Sequence, residues 1–289
     1  MKNQDNGKNW IWIVCFSCRS LNESRFDFVS ALQRLETAAR SKALGKLTAA
    51  VDRELLFKPQ LSIPVKQHTD VPCVDSIAAY IIANYVDDVS GNPITTSGDG
   101  NCLYNVISIL RLGNEALATQ LRYLTCIQLV KNISTYMNHP ISNEIYMVSS
   151  DYDHACFDAG ISGAFSNAWH LVALSDVIMR PIRSIYPNVN GDKDGVRMYL
   201  NKIFYPSNPL DSASLLTVLW YSIGKMPEPN VYCSVNHFAA VTDVIERGIN
   251  TKQQQNLKRK ISSSGSSACE SNCFHEDDAA DDEDTICGL

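Results

Sequence analysis

Cys102 ends the turn Ser97-Gly98-Asp99-Gly100-Asn101 and opens an apolar run in which Leu103, Val106, Ile107 and Leu110 recur at the three-and-four spacing of a helix with one buried face. Asp99, Gly100 and Asn101 are turn residues that tolerate a left-handed or sharply bent backbone. A thiol at such a junction lies beside helix-start N–H groups, whose partial positive charge favours thiolate over thiol. The same groups can hold the oxyanion formed when that thiolate attacks a carbonyl. The chemistry on offer is nucleophilic acyl transfer. Against it, an isolated cysteine after a turn is most often an inert packing residue.

A cysteine nucleophile needs a base that takes its proton and returns it to the leaving amine, and histidine is tuned for that near neutral pH. Of six histidines, His68 lies in a polar linker, His139 precedes a proline, His154 falls in an irregular stretch and His275 in the acidic tail. Two remain. His170 sits inside a helical run beside Trp169, and His237 opens the strand-like text Asn236-His237-Phe238-Ala239-Ala240-Val241.

The elements that must position these groups follow from periodicity. Ser24 with Asp27 makes a capping-box pattern ahead of Phe28, Leu32, Leu35 and Ala39, and Leu44, Leu47, Val51 and Leu55 predict a second helix. Residues 60–72 read as a connection, and Val74 to Val86 as a helix ended by Asp87, Asp88, Gly91 and Pro93. After the Cys102 helix, Gly113 and Asn114 mark a break before a helix from about Glu115 to Lys131. The stretch 138–163 reads as irregular, and Trp169 opens a helix that ends at Pro181. Strands are expected over 182–186, 198–204, 215–221 and 236–244. Helices first and strands afterwards indicate an α+β fold, with helices packed on a mostly antiparallel or mixed sheet. Beyond about Asn250 the text turns to Gln, Lys, Ser and Gly and then to a dense acidic run, which is expected to be disordered.

Composition narrows the function classes. The chain has 289 residues, an ordinary 45% apolar fraction and a net charge of −6, and its only basic cluster, Lys258-Arg259-Lys260, is short, so a nucleic-acid-binding surface is not expected. The apolar run Trp10 to Cys18 is too short to span a bilayer, and Asp5 stands where a signal peptide is basic, so it reads as a strand or an addition to the core. Ten irregularly spaced cysteines in a chain of this size read as reduced thiols, which suggests the cytoplasm or nucleus. Neither Cys15 with Cys18, nor Cys269, Cys273 and His275, nor Asp151, Asp153, His154, Cys156 and Asp158 matches a metal-ligand template, and no metal is expected.

Three blocks in order complete the reading: Asp99-Gly100-Asn101-Cys102, then a tryptophan-led helix ending in Arg180-Pro181-Ile182 with the strand text Ile185-Tyr186, then Asn236-His237-Phe238. Over roughly residues 94–245 this pattern resembles the ovarian-tumour (OTU) cysteine peptidases. Within that superfamily, Thr96–Asn105, Leu121–Val130 and the N-terminal Leu32–Leu47 look most similar to vertnin-like proteins and to OTU domains of mobile-element origin. The resemblance implies a papain-like α+β fold, a central mixed or antiparallel sheet between helices, with a peptidase domain over 73–248. An N-terminal helical extension and linker would occupy 1–72, and a tail 249–289. It implies hydrolysis of ubiquitin or ubiquitin-like conjugates, with Cys102 as nucleophile and His237 as general base and acid. Asp99 would belong to the catalytic loop, and the backbone N–H groups of Asp99, Gly100, Asn101 and Cys102 would form the oxyanion hole. No cofactor is implied, since thiolate, imidazole and backbone dipoles carry every step.

The text also departs from the family pattern. Many members place Asp or Asn two residues after the histidine to hold its ring, and here that residue is Ala239. Asn236 would face the other side of a regular strand, and Asp243 is about 20 Å along at about 3.3 Å per residue. An orienting acid would have to come from Asp99 or from the Asp87 and Asp88 pair, or be absent. Val106 stands where a smaller residue is common. These departures motivate the alternative of an OTU-derived binding or regulatory protein with weak or no turnover.

Overall fold

Four of the described helices start where a side chain answers the unsatisfied N–H groups of the first turn. The computed structural model describes residues 27–56, 73–87, 89–149, 151–191, 194–208, 214–228 and 231–242. Asp27 accepts from Val29 N and Ser30 N and so caps α1 (Phe28–Ala39) itself, while Ser24 lies outside the described residues. α2 (Leu44–Leu55) turns its Leu47 and Val51 onto α1, and buried Glu54 receives a two-pronged hydrogen bond from Arg34 across the pair. Asp75 accepts from Ala78 N and starts α3 (Ser76–Tyr85). The remaining helices are α4 (Cys102–Leu112), α5 (Ala118–Lys131), α6 (Ile133–Met137), α7 (Ser142–Tyr146), α8 (Tyr152–Gly160), α9 (Ala168–Ile178) and α10 (Val196–Leu200).

Five strands, β1 (Asn92–Ile94), β2 (Ile182–Ile185), β3 (Lys202–Phe204), β4 (Leu216–Tyr221) and β5 (His237–Thr242), form one mixed sheet in the order β1-β5-β4-β2-β3. β2 and β4 run parallel and every other pairing is antiparallel. The two-residue side-chain period of a strand sorts the sheet into two packed faces. Leu219, Tyr221, Ala239 and Val241 meet Ala78, Ile81 and Ile82 of α3 on one face. Val218, Trp220, Phe238 and Ala240 meet Cys102, Leu103, Val106 and Ile107 of α4 on the other. Each fully buried aliphatic side chain here contributes about 1.5–3 kcal/mol relative to exposure. α5 backs α4, and α1, α8 and α9 pack on α5, so the fold is α+β with the sheet held between helices.

Local structure differs from the sequence expectation in three places. The stretch read as irregular contains α7 and α8. α8 is capped by Asp151 and buries Tyr152, Ala155, Cys156 and Ala159, a helical spacing hidden among the polar residues around it. The strand expected over 198–204 is α10 followed by β3. β1 was not expected, because three residues with a proline carry no alternation; β5 recruits it by pairing Asn92 with Thr242 and Ile94 with Ala240.

Candidate active site

The loop from β1 to α4 is shaped by its own polar side chains. Asp99 accepts from Asn101 N at 2.9 Å, Asn101 Nδ2 at 3.0 Å and Asn105 Nδ2 at 3.2 Å. Partial burial acts to raise its pKa, but these hydrogen bonds outweigh it and hold the carboxyl below the usual aspartate value. Glu115 fastens the upstream half by accepting from Ser97 N and Ser97 Oγ. Gly100 has φ +77°, and a Cβ there would lie 1.7 Å from the Gly163 carbonyl oxygen, so both conformation and space require glycine. Beneath the loop, fully buried Arg122 of α5 donates to Gly100 O, Asp158 O, Ile161 O and Ala164 O, with its guanidinium 4.6 Å from the Tyr104 ring centre.

Cys102 is the first residue of α4, with no side chain capping that helix start. Burial pushes its thiol up to about 11, although the N–H groups of Phe238, Leu103 and Cys102 itself favour thiolate, and Asp99 adds to the rise. The expectation that the helix start yields a thiolate is therefore not met in this state. Cys102 is 1% exposed, and desolvation outweighs the helix-start dipoles. Alkylation of Cys102 by a small reagent is thus expected to accelerate about tenfold per pH unit between about pH 7 and 10. A rate already flat above about pH 7, followed by mass spectrometry, would contradict a protonated resting thiol.

His237 begins β5 and is 2% exposed. Its Nε2 lies 2.9 Å from Thr96 Oγ1 and 3.2 Å from Thr96 O, while Thr96 Oγ1 donates its single proton to Phe238 O at 2.6 Å. Both contacts need a proton on Nε2, since the carbonyl accepts only and the hydroxyl proton is already committed. The neutral ring therefore keeps its lone pair on Nδ1, which has no hydrogen-bond partner among the described residues. Burial lowers the His237 pKa, opposed by the Thr96 carbonyl and by Asp75, Asp99 and Glu115. Tyr221 packs edge-on against the imidazole with centroids 5.2 Å apart, and its hydroxyl donates to Asp75 Oδ2 at 2.7 Å.

The structure brings Cys102 and His237 to the same end of the sheet. The Phe238 N–H facing the Cys102 sulfur belongs to the residue after His237. No hydrogen bond joins the sulfur to the imidazole among the described residues, and catalytic contacts of this kind are often long until substrate binds. Asp99 faces Asn101 and Asn105 rather than the ring. Asn101 N–H is directed to Asp99, whereas Gly100 N–H and Cys102 N–H have no such side-chain acceptor. Asp87 pairs with Arg197, Asn236 accepts from Ile223 N, and Ala239 is buried under α3. Asp88 and Asp243 lie outside the described residues, as do Cys15, Cys18, Cys269, Cys273, His275 and the tail. His170 is fully buried, accepts from Asn167 N in a capping box, and is driven down to about 3 by burial, with Arg122 acting the same way. Among the described residues no group of three His, Cys, Asp or Glu could hold a metal ion, and no helix is long and apolar enough to cross a membrane. Thr96, Asp75, Tyr221 and Arg122 are the contributors that sequence reasoning missed. Thr96 and Arg122 appear there only inside the segments Thr96–Asn105 and Leu121–Val130, with no role of their own.

A family model described as the OTU domain of vertnin matches residues 93–162 and 147–221. Human vertnin is 28% identical over 217 residues, covering 65% of this chain and 30% of its own length; cattle vertnin is 26% identical over 217 residues, covering 65% and 32%. Over residues 93–221 the chain is thus similar to the OTU domain of vertnin. The family match includes the Cys102 loop and ends at Tyr221, ahead of His237. This vertnin-like chain spans about a third of the length of the curated relatives it matches. The OTU domain of OTUD1, a solved structure, overlays with 19% identity and a TM-score of 0.34, covering 52% of this chain and 85% of that one.

Proposed function

We propose that this chain is a cysteine isopeptidase of the OTU kind that cleaves ubiquitin or ubiquitin-like conjugates. The observation that supports the reading is Cys102 at a helix start, its sulfur faced by the N–H of the residue after His237, together with a His237 whose Nε2–H is held by Thr96, which leaves Nδ1 as the basic nitrogen. In this scheme Nδ1 takes the Cys102 proton, and the sulfur attacks the isopeptide carbonyl. The Gly100 and Cys102 N–H groups hold the oxyanion, and Nδ1 returns the proton to the departing lysine amine. Water, deprotonated by the same nitrogen, then releases the thioester. Asp99 serves by shaping the loop, and no metal or cofactor takes part.

Incubation with ubiquitin carrying a thiol-reactive electrophile in place of its C-terminal carboxyl is expected to add one ubiquitin to the protein at Cys102. The adduct should vanish in Cys102→Ala. Absence of adduct from the wild-type protein, under conditions that label an active OTU peptidase, removes the reading.

A specific observation favours a second reading, a binding or regulatory protein without turnover: Cys102 is buried and, among the described residues, not bonded to His237, and burial pushes its thiol up to about 11. That reading requires ubiquitin binding that survives Cys102→Ala, with no adduct in the wild type.

A further inference from the structure

We infer that Thr96 is the positioning residue for His237, and that it tethers the imidazole to the nucleophile's own loop in place of the carboxylate or amide that Ala239 does not supply. As a statement about catalysis the inference rests on the isopeptidase reading; as a statement about the ring it does not. Thr96 is 4% exposed and holds Nε2–H from two sides, with its hydroxyl oxygen at 2.9 Å and its main-chain oxygen at 3.2 Å. Its own orientation is set by donation to Phe238 O, so the hydroxyl cannot rotate its proton toward the ring without abandoning that bond. One residue thereby selects the tautomer and fixes the ring plane, the two tasks of an orienting group in a cysteine or serine site.

The tether has two consequences. Thr96 is neutral, so the ring receives no adjacent negative charge; the charged groups that act on it are Asp75 beside α3, Asp99 in the loop and Glu115 after α4, none of which bonds to it. Two further titratable groups lie at this end of the sheet, Cys102 itself and Tyr221 on β4, whose hydroxyl is occupied by Asp75. Secondly, Thr96 lies six residues before Cys102 on the connection from β1 to α4, so one short segment supplies both the nucleophile and the histidine anchor.

The test combines a ring observation with a rate. In long-range proton–nitrogen NMR of protein labelled at histidine, wild-type His237 at about pH 7.5 should carry its proton on Nε2. Thr96→Val, which keeps the shape and the main-chain oxygen but removes the hydroxyl, should keep the proton on Nε2 while weakening its hydrogen bond, read as a shifted and faster-exchanging Nε2–H signal, and Thr96→Ser should restore the wild-type signal. Adduct formation with the ubiquitin electrophile should fall roughly 10- to 100-fold in Thr96→Val, the usual effect of removing an outer partner of a functional histidine, and recover in Thr96→Ser. A proton on Nδ1 in the wild type overturns the inference even if no variant folds. So does an unchanged Nε2–H signal together with an unchanged rate in a folded Thr96→Val. A wild type that forms no adduct yet shows the expected tautomers removes the isopeptidase reading and leaves the tether standing.

Discussion

Replacing Arg122 by methionine is expected to cost the domain on the order of 4 kcal/mol of folding stability. The side chain is fully buried and its guanidinium gathers the carbonyls of Asp158, Ile161, Ala164 and Gly100 at 2.6–2.9 Å. Asp158 O lies in the last turn of α8, where it also accepts from Ile161 N and where the negative end of the helix dipole favours a cation. Methionine fills much of the volume but takes that donor from four half-buried acceptors, of which Asp158 O and Ile161 O keep a main-chain donor, and each acceptor left unsatisfied costs about 1–3 kcal/mol before relaxation. Lysine is a poor substitute, because one ammonium on a flexible stem cannot present the planar fork that reaches four carbonyls, and a loss of roughly 2 kcal/mol is expected. Urea unfolding curves of the two variants against wild type measure both. A midpoint for Arg122→Met equal to that of wild type would show that these carbonyls are satisfied without the arginine.

His237→Ala is expected to slow ubiquitin-electrophile adduct formation at neutral pH on the order of 1000-fold, within the range assigned to a general base. The size follows from the thiol. With its pKa pushed up to about 11, unaided Cys102 is ionised in only a small fraction of molecules near neutrality, and an imidazole with a free Nδ1 supplies the missing proton acceptor. The deficit of the variant should therefore shrink about tenfold for each pH unit above neutrality, as hydroxide takes over the deprotonation. Rates measured at several pH values decide the matter. A deficit that stays constant with pH would mean that His237 supports the loop rather than accepting the proton.

Both expectations turn on groups that differ in how openly they stand in the sequence. The turn Asp99-Gly100-Asn101-Cys102 is legible because turn residues followed by helical periodicity are local signals, and α4 begins at Cys102. His237 could be picked from six histidines only with the order of neighbouring blocks, since a histidine opening a strand has no local mark of function. His170 shows the converse. Its place in a helix beside Trp169 left it open as a base, yet it is a buried capping residue because α9 is enclosed on all sides. Arg122 reads as a polar face of an amphipathic helix, and nothing within ten residues of it announces the four carbonyls it serves.

By itself the sequence determined the α+β class, the helix that presents the cysteine, and the strand that presents the histidine, because each depends on side-chain periodicity and capping within one segment. Only the tertiary structure decided the protonation state of that cysteine and what holds that histidine. Both depend on desolvation and on hydrogen bonds between residues far apart in the chain, Thr96 to His237 and Arg122 to Gly100 among them. Burial against β5 leaves Cys102 a thiol where its position at a helix start alone suggested a thiolate. The same closure of β1 and its loop onto β5 sets the Thr96 hydroxyl against His237 Nε2, where Ala239 offers no polar group.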